Sequence, residues 1–438
     1  MNGVRPSAAI GSQIEVAILA DDLTGAADCA AAFAAAGRSP VVLLEPSGSR
    51  GGAPGGGDIV ALSANSRDVD DAQARDAMAS AVRELSHAQP RIWFKKIDST
   101  LRGHLCPELR VVTEFLRPEL TIVCPAFPRA GRVLREGRVY VHGRPLEQTQ
   151  LWQAAGGGPT HLPAMLSTDV APVVSVGLAA LRDRSLAGTL RVTARGATIV
   201  ADAERDDDLD ALIAAGVESG RDVLWVGSAG LAGALACALQ APALPAAAQT
   251  ASREPSRDAP VGGPVLVVAG SGAPQTRRQI ADLLASRDTE LVVLPVAALL
   301  DGEPEIRRAT GALVERALAA GRDAVVTIEP IGTGSRSGED RHLSDRLGAL
   351  VGDLAADFAG LVLTGGDTAR AVLQAMGIAE LSVLGSVEDG VPLSLATATG
   401  RYVVTKAGAF GDDRSLTRAV RLLHRDEVGT TTGPMEEL

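Results

Sequence analysis

Apolar runs just long enough for one strand recur along this chain, and between most of them lie stretches with the length and composition of a helix. Such alternation is the sequence sign of parallel sheets covered by helices. Strands are expected at Val16–Ala20, Val41–Glu45, Ile59–Ser63, Ile92–Ile97, Thr121–Cys124, Val173–Val176, Thr198–Ala201 and Val223–Val226, with helices following Thr24, Val69 and Leu105. The pattern resumes later, with strands near Val265–Val268, Leu291–Leu294, Ala324–Ile328, Leu361–Leu363 and Tyr402–Thr405. Helices there should begin near Pro274, Glu305, Asp340, Thr368 and Arg414. One segment breaks the pattern. Arg129–Pro145 carries glycine at 131, 137 and 143 with Val, Tyr and His between, which suggests a β-hairpin or flap.

A chain of 438 residues exceeds one ordinary domain, so two are expected. Residues 241–263 are a run of Pro, Ala, Ser and polar residues without periodicity and read as a linker. The fold class predicted is α/β: two α/β domains with mainly parallel sheets and an active site in the cleft between them. The domains are placed at 14–240 and 264–427, with a frayed tail at 428–438.

The net charge of −11 argues against nucleic acid as a bulk electrostatic partner. No run approaches the roughly 20 apolar residues of a spanning helix, and no signal peptide is visible at the start, so a cytoplasmic protein is expected. Cys29, Cys106, Cys124 and Cys237 are far apart and form no zinc or disulfide pattern. Lysine and arginine total 42, yet lysine occurs only at 95, 96 and 406, which leaves 39 arginines. Lysine that survives such a bias points to places needing a compact ammonium. All three fall in motifs.

The first strand ends in Asp21-Asp22-Leu23-Thr24-Gly25. Ligands of parallel sheets bind outside the carboxyl ends of strands, so paired aspartates there suit chemistry, although Asp22 or Thr24 could simply cap the next helix. Lys95-Lys96-Ile97-Asp98-Ser99-Thr100-Leu101-Arg102-Gly103 follows another strand and mixes cations, a carboxylate and hydroxyls. Lys96 and Arg102 suit a carboxylate ligand, and Asp98 could orient or deprotonate a hydroxyl. Pro125-Ala126-Phe127-Pro128-Arg129 is a rigid turn that could place Arg129 or Arg132 nearby. His104 stands beside this block.

Gly227-Ser228-Ala229-Gly230-Leu231-Ala232-Gly233 imitates a dinucleotide-binding turn but lacks the later acidic residue, so close helix packing or a phosphate contact fits it better. In the second half three turns look like phosphate cradles: Gly270-Ser271-Gly272, Gly365-Gly366-Asp367-Thr368 and Lys406-Ala407-Gly408-Ala409-Phe410-Gly411. Asp367 could hold Mg²⁺ through water, with no direct protein metal site expected, and Lys406 could neutralise phosphate charge. No Gly-Lys pair occurs, which excludes a P-loop. Gly332–Gly338 is flexible by composition; it could be a lid, but a disordered surface loop fits it better.

Taken in order, the DDLTGA, KKIDSTLRGH, PAFPRAGR, GSAGLA, GGDTA and KAGAFG blocks resemble the four-carbon acid sugar kinase family. The resemblance runs from about Val16 to Asp412. It implies an N-terminal substrate-binding domain, a C-terminal nucleotide-binding domain, and transfer from ATP, with Mg²⁺, to threonate, erythronate or 3-oxo-tetronate. By it, Asp21, Asp22, Lys96, Asp98, Ser99 and Arg102 line the acid-sugar site. Ser271, Gly365, Gly366, Asp367, Thr368 and Gly408 line the ATP site. Asp22 or Asp98 is the expected base. Two departures stand out: Ala409 where the family has a second glycine, and His104 where it often has asparagine. The partners implied are a sugar acid and ATP, with no nucleic acid or membrane; a homodimer is compatible. Two other classes remain open at this point: an NAD(P)-dependent sugar-acid dehydrogenase, resting on Gly227–Gly233, and a non-catalytic sensor of a sugar acid or nucleotide.

Overall fold

The computed structural model describes residues 14–46, 57–154, 156–167, 172–183, 185–239, 263–301, 304–329, 337–354 and 357–424. Nearly all of the expected linker, residues 332–336 of the loop weighed as a lid, and the tail lie outside the described residues. Two compact units emerge. One comprises Met1–Asp21 and Ala32–Ala243, the other Asp22–Ala31 and Leu244–Leu438.

The chain opens with β1 (Val16–Ala20), α1 (Leu23–Ala35), β2 (Pro40–Leu43), β3 (Ile59–Ser63), α2 (Asp71–Ser86), β4 (Ile92–Lys96), α3 (Leu105–Leu116) and β5 (Leu120–Cys124). Next come β6 (Arg132–Arg135), β7 (Arg138–Val141), β8 (Arg144–Pro145), α4 (Gln150–Ala154), α5 (Leu162–Leu166) and β9 (Val173–Val176). The first unit then closes with α6 (Leu178–Arg182), α7 (Leu186–Val192), β10 (Ala197–Ala201), α8 (Asp206–Glu218), β11 (Val223–Gly227) and α9 (Ala229–Ala238).

Its sheet runs β2-β3-β1-β4-β11-β5-β10-β9 with every neighbour parallel. β1, β3, β5, β10 and β11 are buried at every position, as strands covered on both faces must be. Because all strands point one way, their carboxyl ends share one edge. β1 lies between β3 and β4, with Ala20 opposite Ser63 and Leu19 opposite Lys95. That register brings Asp21, the segment after Ser63 and the segment after Lys96 to neighbouring positions.

The expected flap is a small antiparallel sheet of three strands, β6-β7-β8. Its two hairpin turns, Glu136-Gly137 and His142-Gly143, have positive φ at both central residues, the backbone that matches strand twist in two-residue turns. A bridge between Leu134 and Ala203 joins it to the end of β10. The Asp202 carboxylate accepts the Glu136 and Gly137 N–H groups at 2.8 and 2.9 Å.

The second unit continues with β12 (Val265–Ala269), α10 (Pro274–Ser286), β13 (Thr289–Leu294), α11 (Val296–Asp301), α12 (Pro304–Ala319), β14 (Asp323–Ile328) and α13 (Ser337–Gly352). It ends with β15 (Gly360–Thr364), α14 (Gly366–Ala375), β16 (Glu380–Glu388), β17 (Val391–Ala396), β18 (Arg401–Lys406) and α15 (Ser415–His424). β13-β14-β12-β15-β18 are parallel, and β17 and β16 follow antiparallel. The β16–β17 hairpin was not expected. Its serines, Gly385 and Pro392 interrupt the apolar pattern, and it is only partly buried, none of residues 384–388 being buried. The core packs Val265, Val267, Val325, Val362 and Val404 against Leu283 of α10 and Leu416, Val420 and Leu423 of α15.

Helices α13 and α14 approach to backbone contact at Gly348, where an added Cβ would stand 2.6 Å from the Ala371 carbonyl. Gly348→Ala should therefore destabilise by about 1–3 kcal/mol through overpacking, despite the better helix propensity of alanine. Thermal unfolding checks it, and a melting temperature at or above wild type would contradict this packing.

Candidate active site

In the first unit, charged side chains from three strand ends interlock. Asp21, just past β1, is buried. Arg67, four residues past β3, donates through Nε to Asp21 Oδ2 at 2.7 Å, and its other end lies 3.7 Å from Asp98 Oδ2. Asp98, just past β4, accepts the Thr100 N–H at 2.8 Å, the Thr100 hydroxyl, and an Arg102 N–H at 2.7 Å. Burial alone would raise both carboxyls. For Asp21 it is outweighed by Arg67, Lys95 and Lys96, which hold the group below its ordinary value. For Asp98, Arg102, Arg67 and Lys96 hold it well below. Asp98 is thus held as an anion by its cationic neighbours.

Lys96 and Ser99 are buried in the same segment. The backbone there is unusual: Leu101 has φ 59° and Gly103 φ 89°. A Cβ on Gly103 would come 3.0 Å from Asp21 Oδ2, so this turn passes directly over the aspartate. Asn65 also has positive φ (52°), and its amide donates to Leu44 O at 2.9 Å. Holding such conformations costs about 1–3 kcal/mol each and is usual where a turn must present groups. Arg102, expected to hold a substrate carboxylate, is engaged with Asp98. Arg67 was missed; its sole sequence signal is an arginine a few residues beyond a buried strand. His104 faces the Asp71 carboxylate at 2.6 Å from Nδ1, at the start of α3.

The two adjacent aspartates part company. Asp22 caps α1: its Oδ1 accepts the Gly25 N–H at 2.8 Å and its Oδ2 the Thr24 hydroxyl at 2.6 Å. It belongs to the second unit, where a Cβ on Gly366 would stand 2.9 Å from Asp22 Oδ2 and 3.6 Å from Thr24 Oγ1. The carboxylate therefore sits against the first residue of α14.

The three glycine turns of that unit converge. A Cβ on Gly270 would fall 2.1 Å from Thr368 Oγ1, and one on Gly408 would fall 1.9 Å from Ser271 Oγ. Gly365 has φ 105° and donates its N–H to Lys406 O at 2.9 Å. Only glycine permits these approaches. The three turns thus meet at the N-terminus of the ten-residue α14, with Asp367 in its first turn.

Lys406 does not offer its ammonium outward. Fully buried, it donates to the carbonyls of Ala407, Gly408 and Phe410 at 2.9, 3.2 and 3.2 Å. The loop is pinned from α10 as well, by Thr276 to Gly408 O at 3.1 Å and by Gln279 to Phe410 O and Asp412 O at 3.1 and 2.7 Å. Lys406 thus shapes the third turn. Its methyl-bearing neighbour Ala409 is exposed.

The dinucleotide-like turn has a packing explanation. Cβ atoms on Gly227 and Gly230 would strike the Cys124 and Ala126 carbonyls at 2.6 Å. Ser228 caps α9 and donates to Ala126 O at 2.8 Å.

Two family models match the chain: a sugar-binding N-terminal domain over residues 16–235 and a nucleotide-binding C-terminal domain over 266–416. The D-threonate kinase of Cupriavidus necator is 37% identical across 92% of this chain and 96% of that protein. The chain belongs to the four-carbon acid sugar kinase family. A second member of the family, the D-threonate kinase of Bordetella bronchiseptica, is 32% identical across 93% of this chain and 97% of its own. The fold recurs in the crystal structure of a putative tRNA synthase from Salmonella typhimurium LT2, with a TM-score of 0.77 at 20% identity over 93% of this chain and 99% of that one.

For this family member the Lys406 geometry has a pH signature. Burial lowers its ammonium from 10.5 to about 8, against a smaller upward pull from Glu388. Between those values the unfolded chain binds the proton and the folded chain does not, so the contribution of Lys406 to stability rises with pH across that window. The difference in unfolding free energy between wild type and Lys406→Met should accordingly shift toward the wild type from pH 8 to pH 10.5. A difference that stays flat in denaturant titrations would show that the ammonium is not buried as described.

Proposed function

We propose that this chain transfers the terminal phosphoryl group of ATP to the terminal hydroxyl of a four-carbon sugar acid: threonate, erythronate or 3-oxo-tetronate. Residues 14–240 bind the acid and residues 264–427 the nucleotide, with 241–263 joining them and 428–438 trailing. The observation that carries the reading is the Asp22 carboxylate against Gly366, at the mouth of a glycine cradle. A carboxylate repels phosphate, so beyond Asp367, which answers to Mg²⁺, a turn made only to bind nucleotide gains nothing from a second one there. A kinase needs it, to take the proton of the hydroxyl that attacks.

The cradle fits a triphosphate. Ser271, Gly366, Thr368 and Gly408 would hold it through backbone N–H groups and hydroxyls, Gly365, whose own N–H is bonded to Lys406 O, would let the chain pass close to it, and α14 adds its dipole. Among the described residues no group of three His, Cys, Asp or Glu stands ready as a metal cage. Mg²⁺ would come with the nucleotide and touch Asp367 through water, neutralising phosphate charge when bound. Lys96 and Arg102, with Arg67, would hold the acid's carboxylate, and Asp21, Asp98 and Ser99 would orient its hydroxyls. As the new O–P bond forms, the hydroxyl proton passes to Asp22 and ADP leaves. Catalysis is then chiefly positioning and electrostatics. A cytoplasmic location accompanies this reading. No described helix is long and apolar enough to cross a membrane.

With MgATP and a panel of sugar acids in a coupled ADP-release assay, turnover should be confined to four-carbon acids, D-threonate first. Asp22→Asn should lower kcat about 10²–10⁴-fold with little change in the KM for ATP. Asp98→Asn should mainly raise the KM for the acid. Silence across the panel would discard the substrate class, and near-normal turnover of Asp22→Asn would discard the base.

A further inference from the structure

Beneath the sugar-acid cluster lies an ion pair that no step of the proposed transfer uses. Lys95 Nζ is 2.8 Å from Glu108 Oε2, and the two side chains are 0% and 2% exposed. The ammonium also donates to Lys96 O at 2.8 Å. The other Glu108 oxygen accepts the Ser66 hydroxyl, and Ser66 in turn donates its backbone N–H to Asp21 O at 2.9 Å. Lys95 lies on β4, Glu108 in the first turn of α3, and Ser66 in the loop after β3. Those three segments lead to Asp98, follow from Arg102, and carry Arg67.

A pair buried this deeply is a poor source of stability, since removing two charges from water costs several kcal/mol and apolar residues of similar volume often do as well. What the charges add is direction. Lys95 and Lys96 are successive on a strand and so point to opposite faces, one inward and one to the site. In a chain with 39 arginines, a lysine is kept where one carboxylate and one carbonyl leave no room for a five-donor fork. We propose that Lys95 and Glu108 are positioning residues for the sugar-acid site: through Ser66 they fix the loop from which Arg67 grips Asp21 and Asp98. This rests on the first unit being the acid-binding one.

Two variants test it. Lys95→Met/Glu108→Leu keeps the volume and the net charge but removes the aimed groups; Ser66→Ala removes only the link. In both, the KM for the sugar acid should rise roughly ten- to a hundredfold, the loss expected from misplaced binding groups, while the KM for ATP stays put. The double variant should melt near the wild-type temperature and Ser66→Ala a few degrees below it, since it leaves one buried Glu108 oxygen without its donor. In the free protein, amide hydrogen exchange should quicken at residues 64–68. Were the double variant unfolded, Ser66→Ala would still decide the matter. If both variants bind the acid normally and exchange like wild type, the pair merely fills space and the proposal fails. Exchange is read without substrate, so it judges the loop even if the wild type turns over no acid, an outcome that would overturn the functional reading instead.

Discussion

Four cations and three carboxylates gather at the carboxyl ends of β1, β3 and β4: Lys95, Lys96, Arg67 and Arg102 with Asp21, Asp98 and Glu108. Neither kind could occupy so buried a place alone, because an unpaired charge there loses its hydration without return. The mutual requirement fixes the loops. The parallel sheet is what makes the gathering feasible, since it delivers every strand end to the same edge.

The second unit solves a different problem with different means. A phosphate chain asks for many N–H donors at close range, so side chains give way to glycine wherever turns meet. Buried Lys406, Gln279 and Thr276 then satisfy the carbonyls that this curled loop turns away from its mouth. Polar groups at the floor are the counterpart of bare backbone at the rim.

Much of this was legible in advance, for physical reasons that differ by element. Fully buried parallel strands declare themselves as unbroken apolar runs, so β1, β3, β12 and β15 are read within a residue or so. The β16–β17 hairpin is half-buried and carries Ser, Gly and Pro, and it reads as loop. Asp21, Asp22 and Asp98 stand out because carboxylates seldom follow apolar strands without a task. Arg67 does not, since its meaning depends on β3 lying beside β1. Lys406 was legible as an unusual lysine but not in its direction, which only the curl of residues 406–412 decides. Asp21 and Asp22 look like one pair in sequence; packing assigns them to different units.

The central claim is that a phosphoryl group is moved onto the terminal carbon's oxygen of a four-carbon acid, and the product tests it most directly. After incubation with MgATP and D-threonate, proton-coupled phosphorus NMR should show a new monoester resonance split into a triplet by a CH₂ group, appearing as ADP accumulates. A doublet, which marks a secondary carbon, would move the reacting hydroxyl elsewhere on the acid. Inorganic phosphate as the sole product would contradict the kinase.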